Sequence, residues 1–218
     1  DPLWSRGLGD VYKRQIGDRA NREVLDVFER VEKDVPGAKA LRLRNEHAQL
    51  IAAADLPRFA RLGVIASMQP THCTSDMPWV PTRLGAARTA EEAYVWQKLI
   101  KSGVTIAAGS DFPVEQPNPM LGFYAAITRQ DVHGQPAAGW APDQRMDRMQ
   151  TLESFTVHAA YAAHMESHLG TLEAGKLADL VVLSSDIMTA APARLLDTVV
   201  EQTMIGGTWV YSRDEVHP

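Results

Sequence analysis

Short apolar strands alternate with amphipathic helical stretches from residue 16 to about residue 165, and that rhythm constrains the fold more than any other property of the chain. Three runs read as strands: "LRLRNEH" (41–47), "VIASMQ" (64–69) and "VTIAAGSD" (104–111). In the first, Leu41, Leu43, Asn45 and His47 share one face and Arg42, Arg44 and Glu46 the other, because successive strand side chains point to opposite sides. In the third, Val104, Ile106 and Ala108 share a face, while Thr105, Ala107, Gly109 and Asp111 make a smaller opposite face that ends in a carboxylate. Between the strands the period changes. From Arg19, the residues Ala20, Val24, Val27, Phe28 and Val31 recur at three- and four-residue steps, with Glu23, Asp26, Glu29 and Arg30 opposite them, which predicts a surface helix. "ADLPRFARLG" reads as a short helix with Asp55 as N-cap and Gly63 closing it. "TAEEAYVWQKLIKSG" reads as one helix, with Thr89 and Glu92 as a capping box and Gly103 at its end. "TLESFTVHAAYAAHM" reads as another.

Mostly apolar strands spaced by helices predict a parallel sheet covered by helices, an α/β fold. His47, Gln69 and Asp111 then fall at successive strand ends, and in barrels of this class chemistry is assembled at the C-terminal ends of the strands. The segment after Gln69, with His72, Cys73, Asp76, Trp79 and Pro81, reads as a polar loop, and the Pro- and Gly-rich stretch from 112 to 146 as a lid or substrate loop. The tail is different in kind. "LADLVVLSSD" and "VVEQTMIGGTWVYS" are β-rich, with Gly206 and Gly207 placed as a hairpin turn. The expected organisation is a leader over 1–15, unpatterned and read as a non-native flank or disordered N-terminus; a partial barrel over 16–168; and a β element over 169–218.

Composition narrows the function. A net charge of −5, with the 22 Lys and Arg scattered, argues against a nucleic-acid partner. No apolar run approaches the ~20 residues of a membrane span. Cys73 is the only cysteine, so the chain has no internal disulfide framework and a cytoplasmic setting is expected.

Neutral imidazole and carboxylate suit a divalent metal such as zinc, which makes His47 and Asp111 candidate ligands. The plainer readings are a structural histidine and an aspartate capping the turn before Pro113. Two ligands leave a catalytic zinc site incomplete, since about three are needed beside an open position. Ser110 lacks the glycine-flanked elbow of a hydrolase nucleophile. Gln69, His72, Trp79 and Arg129 are candidate substrate contacts, and His158, His164 and His168 read as helix-surface residues.

Three stretches carry a resemblance to a known family: "RNEHAQLIAAADLPRFARLGVIASMQPTHCTSDM", "AAGSDFPVEQPNPMLGFYAAITRQD" and "GTLEAGKLADLVVLSSDI". In that order they resemble the C-terminal half of the metal-dependent amidohydrolases, closest to amidohydrolase family 3, the group that includes N-substituted formamide deformylase. The resemblance covers Ile16 to Tyr211. It implies the C-terminal half of a TIM-type (β/α)₈ barrel with a small β-sandwich, His47 as the metal ligand ending strand six, and Asp111 as the ligand and proton acceptor ending strand eight. The implied chemistry is hydrolysis of a C–N bond in a small amide-type substrate, with a divalent metal, zinc first, as one or two ions in the complete enzyme and weakly held or absent here. The family's His-x-His pair and strand-four ligand are not in this sequence, and "RQIGDRA" stands where a histidine in "HAIGDRA" is expected. The chain is therefore expected to be inactive alone, needing the other barrel half or an oligomer partner. The alternative is a catalytically inactive remnant or binding module on the same scaffold.

Overall fold

The structure, a computed structural model, describes residues 12–215. Four parallel strands form one sheet in chain order: β1 (Tyr12–Gln15), β2 (Arg44–His47), β3 (Ile65–Met68) and β4 (Ile106–Ala108). Parallel neighbours need a crossover, and helices supply each one. α1 (Asp18–Asp34) joins β1 to β2, α2 (Leu56–Leu62) joins β2 to β3, and α3 (Pro70–Asp76), α4 (Val80–Leu84), α5 (Ala86–Glu92) and α6 (Trp96–Lys101) lie between β3 and β4. The fold is α/β, as the alternation predicts. β1 corrects the sequence reading, because Tyr12–Gln15 were set apart with the leader and instead pair with Arg44–His47. Residues 1–11 lie outside the described residues.

The main core packs Leu25, Phe28, Phe59, Leu62, Leu99 and Val104 from the helix layer and its loops against Leu43, Ala66, Met68 and Ile106 from the strand runs. Each large side chain buried there contributes ~1.5–3 kcal/mol. The buried stripe of α1 is Asn21, Val24, Leu25 and Phe28, whereas Val27, expected on that stripe, is exposed. Asn21 belongs inside because its amide is fully used. Its Nδ2 donates to the Gly17 and Leu50 carbonyls at 2.9 Å each, and its Oδ1 accepts from Asn45 Nδ2 at 2.6 Å. One side chain thus ties the entry of α1 to the segment that leaves β2.

Several local expectations are corrected by tertiary contacts. Asp55 occupies the N-cap position of α2 but makes no capping bond; it pairs instead with Arg22 and Arg58, each at 2.9 Å. Gly63 closes α2 at φ 65°, as expected. The segment after Gln69 is helical rather than a loop, with Pro70 in the first turn of α3, where its missing N–H costs nothing. The stretch 89–103 is two helices rather than one. Thr89 lies inside α5, its Oγ1 donating to Gly85 O at 2.7 Å, and the chain breaks at Tyr94, φ 50°, before α6. The expected lid contains a packed helix, α7 (Pro119–Thr128), with Phe123 and Tyr124 buried against Leu195. The last helical run is split at Thr156 into α8 (Arg148–Phe155) and α9 (Val157–Ala162), and Asp147 with Gln150 forms the capping box of α8.

α9 closes the end of the sheet away from the C-termini of the strands. Ala162 packs on Ile65 and Ala107, and its carbonyl accepts from Arg44 Nη1 at 2.9 Å. Arg42 donates to Tyr161 O and pairs with Glu166, whose carboxyl it holds down at about 2.

The tail forms a separate antiparallel sheet of β5 (Leu180–Leu183), β6 (Val200–Ile205) and β7 (Thr208–Ser212). Gly206 and Gly207, at φ 55° and 82°, make the two-residue turn between β6 and β7 that the sequence predicts. Among the described residues no helix is long and apolar enough to cross a membrane.

Candidate metal centre

The polar residues of interest gather at the C-terminal end of the parallel sheet. His47 is the last residue of β2, and its φ of 72°, followed by Ala48 at 44°, turns the chain sharply away from the strand direction. Asp111 follows β4 by three residues and is also left-handed, at φ 57°. Left-handed backbone at non-glycine residues costs ~1–3 kcal/mol each and is held only where its surroundings dictate it. His72 comes from the first turn of α3, three residues beyond Gln69. One donor atom from each of His47, His72 and Asp111 lies within 4.8 Å of the others. Three ligands bonded tetrahedrally to one zinc ion at ~2.1 Å stand ~3.4 Å apart, so side-chain movements of up to about 1 Å close the group on an ion.

Each donor is prepared for that role. His47 Nδ1 is 3.0 Å from Gln69 Oε1. An amide oxygen can only accept, so the ring carries its proton on Nδ1 and keeps the Nε2 lone pair for a cation. The His47 and His72 rings stack with centroids 5.7 Å apart. His72 Nε2 is buried without a hydrogen-bond partner, and the nearest carboxylate oxygen, Asp111 Oδ2, is 4.0 Å away. A buried, unsatisfied imidazole nitrogen costs free energy unless something fills the gap. Burial pushes the His72 pKa below its ordinary value, outweighing the pull of Glu115 and Asp111, and keeps the ring in the neutral, ligating form. The donor set is therefore one that a divalent cation fits.

The other predicted site residues divide. Gln69 orients His47. Trp79 lies half exposed at the head of α4, outside the donor group. Arg129 is fully buried: its guanidinium donates to the carbonyls of Trp140 and Tyr94 and lies over the rings of Trp96, at 4.4 Å, and Trp140, at 5.2 Å. It braces the junction before α6 from within the protein. Ser110 accepts from Phe112 N at 3.2 Å, a turn contact. His158, read as a surface residue, is half-buried with Nδ1 3.1 Å from Ile106 O. Sequence reasoning treated His72 as a loop residue. The signal was present in Pro70, a residue suited to the first turn of a helix directly after an apolar strand.

The sequence profile described as "Amidohydrolase family" matches residues 10–211. This chain belongs to the amidohydrolase family. It is 36% identical over 196 residues to Protein LONG AFTER FAR-RED 3 of Arabidopsis thaliana, covering 90% of this chain and 33% of that protein. It is 27% identical over 198 residues to the N-substituted formamide deformylase of Arthrobacter pascens, covering 91% of this chain and 36% of the deformylase. Among solved structures, an uncharacterized metal-dependent hydrolase from Pyrococcus horikoshii OT3 matches with a TM-score of 0.71 and 29% identity, over 84% of this chain and 35% of that one. The amidohydrolase chain thus spans about a third of the length of these relatives.

Proposed function

We propose that this chain carries one side of the active site of a metal-dependent hydrolase that cleaves a C–N bond of the amide or formamide kind. The observation that carries this reading is the convergence of His47, His72 and Asp111 on one point at the C-terminal end of a parallel sheet. Membership of the amidohydrolase family and the similarity to a formamide deformylase support it.

A divalent cation, zinc first, held by His47, His72 and Asp111 would polarise the substrate carbonyl and lower the pKa of water towards ~7. Asp111 takes a proton from water as the water oxygen attacks the carbonyl carbon, then gives that proton to the nitrogen as the C–N bond breaks. Gln69 keeps the His47 ring in register. Phe112 and Val114, exposed just beyond Asp111, offer an apolar margin to a small-molecule substrate.

In this reading β1 to β4 are the last four strands of a (β/α)₈ barrel that starts at β1 and runs to 168, and β5 to β7 belong to a small sandwich within 169–218. A further chain segment or a partner subunit supplies the remaining strands and ligands. The outer edges of β1 and β4, unpaired among the described residues, support this, because open parallel edges call for a neighbour. Neither nucleic acid nor membrane enters the proposal, and a cytoplasmic setting suits the single buried thiol.

One observation favours a second reading, a binding module without turnover. The family resemblance puts a histidine at position 14 of β1, next to the strand that carries His47, and Arg14 stands there instead.

The test is hydrolysis of N-formyl amines and simple amides, followed by chromatography, by the zinc-loaded protein together with the segment or subunit that supplies the remaining strands. Asp111→Asn is expected to lower turnover by a factor of about 10²–10⁴ with an unchanged circular dichroism spectrum. Retained turnover in that variant rules out Asp111 as the base. Stoichiometric zinc with no turnover by the wild type, even when the remaining strands are supplied, decides for the binding module.

A further inference from the structure

A second buried polar cluster lies behind the candidate ligands, and its members come from the same elements. Gln49 follows His47 by two residues, and Asp76 follows His72 by four, a little over one helical turn along α3. Both converge on the phenol of Tyr94. Gln49 Nε2 donates to Asp76 Oδ2 at 2.8 Å and to Tyr94 Oη, and Tyr94 Oη donates to Asp76 Oδ2. Gln49 and Tyr94 are buried.

Tyr94 is itself fixed from several directions. Its backbone N–H donates to Gln49 O at 2.8 Å, its carbonyl accepts from Arg129 Nη1 at 3.0 Å, and its ring stands edge-on to Trp96 and Trp140. Its left-handed φ of 50° marks a conformation imposed by these contacts rather than by local preference. Burial, reinforced by Asp76, pushes the phenol pKa well above its ordinary value, so the hydroxyl remains a donor.

We infer that Tyr94 is a positioning residue for the candidate metal centre: with Gln49 and Asp76 it fixes the far end of the helix that carries His72 against the turn that carries His47. His47 and His72 come from different crossovers, and Gln69 joins them at the start of α3, its side chain to His47 and its backbone carbonyl to the His72 N–H at 3.1 Å. The Tyr94 cluster adds a second link, through Asp76 at the other end of α3. A donor group that must draw together to hold an ion depends on such links, and removing the partners that orient metal ligands typically costs about 10- to 100-fold in affinity. The inference rests on the metal-site reading proposed above.

The experiment is a cobalt(II) titration of the 218-residue chain, following the visible d–d absorption, for wild type, Tyr94→Phe and Gln49→Met. Phe59→Leu, a core truncation, serves as a control for general destabilisation. Tyr94→Phe is expected to weaken cobalt binding about tenfold or more and to alter the d–d spectrum, because the ligand angles change. Phe59→Leu is expected to lower the melting temperature while leaving both readouts unchanged. Cobalt affinity and spectrum in Tyr94→Phe matching wild type would overturn the inference, as would an equal loss in Phe59→Leu. If Tyr94→Phe does not fold, Gln49→Met decides by the same criteria. A wild-type protein that takes up no cobalt would overturn the metal-site reading and this inference with it, whereas binding by wild type with no change in the variants would overturn this inference alone.

Discussion

The parallel sheet and the tail sheet solve the burial problem differently. In β3 and β4, and at Leu43 just before β2, the apolar side chains meet helices, and Leu43, Ile65, Ala66, Met68, Ile106 and Ala107 are all buried. In the tail, Val181, Val182, Ile205, Trp209, Val210 and Tyr211 stay exposed among the described residues, although those strands pair well and the hairpin turn is well formed. Hydrogen-bonded pairing and burial are separate conditions, and the tail satisfies only the first. The candidate site belongs to the region that satisfies both, and this is where residues such as His47 and Asp111 can be held in backbone conformations that cost energy.

The contrast can be broken by stability measurements. Phe59→Ala, in the main core, is expected to lower the unfolding free energy by ~3–5 kcal/mol in urea denaturation, through lost transfer energy and the cavity left behind. Asn45→Ala should cost less, ~1–3 kcal/mol, because it leaves the buried Asn21 Oδ1 without its donor. Trp209→Thr in the tail should change stability by no more than ~0.5 kcal/mol, the usual range for an exposed position. A loss at Trp209 as large as that at Phe59 would show that the tail face is covered in solution and would collapse the distinction.

A chemical probe sharpens the contrast within the parallel-sheet region. The Cys73 thiol is fully buried on α3 beside His72, and burial pushes its pKa up to about 12. It should resist iodoacetamide at pH 8 in the folded protein and react once the protein is unfolded in urea. Labelling under native conditions at the rate of a free thiol would mean that α3 opens readily and does not hold His72 in place.

Much of this was legible in the sequence where local pattern and tertiary need agree. The alternation of strands and helices, the glycine closing α2, the Gly206–Gly207 hairpin and the grouping of His47 and Asp111 at strand ends follow from period and turn chemistry alone. The reading failed where distant contacts override local preference. Asp55 has the residue type of an N-cap, but two arginines from α1 and α2 claim its carboxylate. Thr89 and Glu92 have capping-box spacing, yet the helix ends just after Glu92 because Tyr94 is drawn into the cluster with Gln49 and Asp76. Arg129 has the chemistry of an anion contact, but the two tryptophans that enclose it come from residues 96 and 140, and no short window of sequence relates them. His72 was visible as a candidate but placed in a loop, whereas helix α3 brings its donor atom to within 4.8 Å of those of His47 and Asp111.

The central claim is that His47, His72 and Asp111 share one divalent cation. Isothermal titration of zinc into the wild-type chain and into His47→Ala, His72→Ala and Asp111→Ala tests it most directly. The account predicts one zinc per chain for the wild type and a loss of about tenfold or more in affinity for every single variant. Zinc binding left unchanged by His72→Ala or by Asp111→Ala would contradict it.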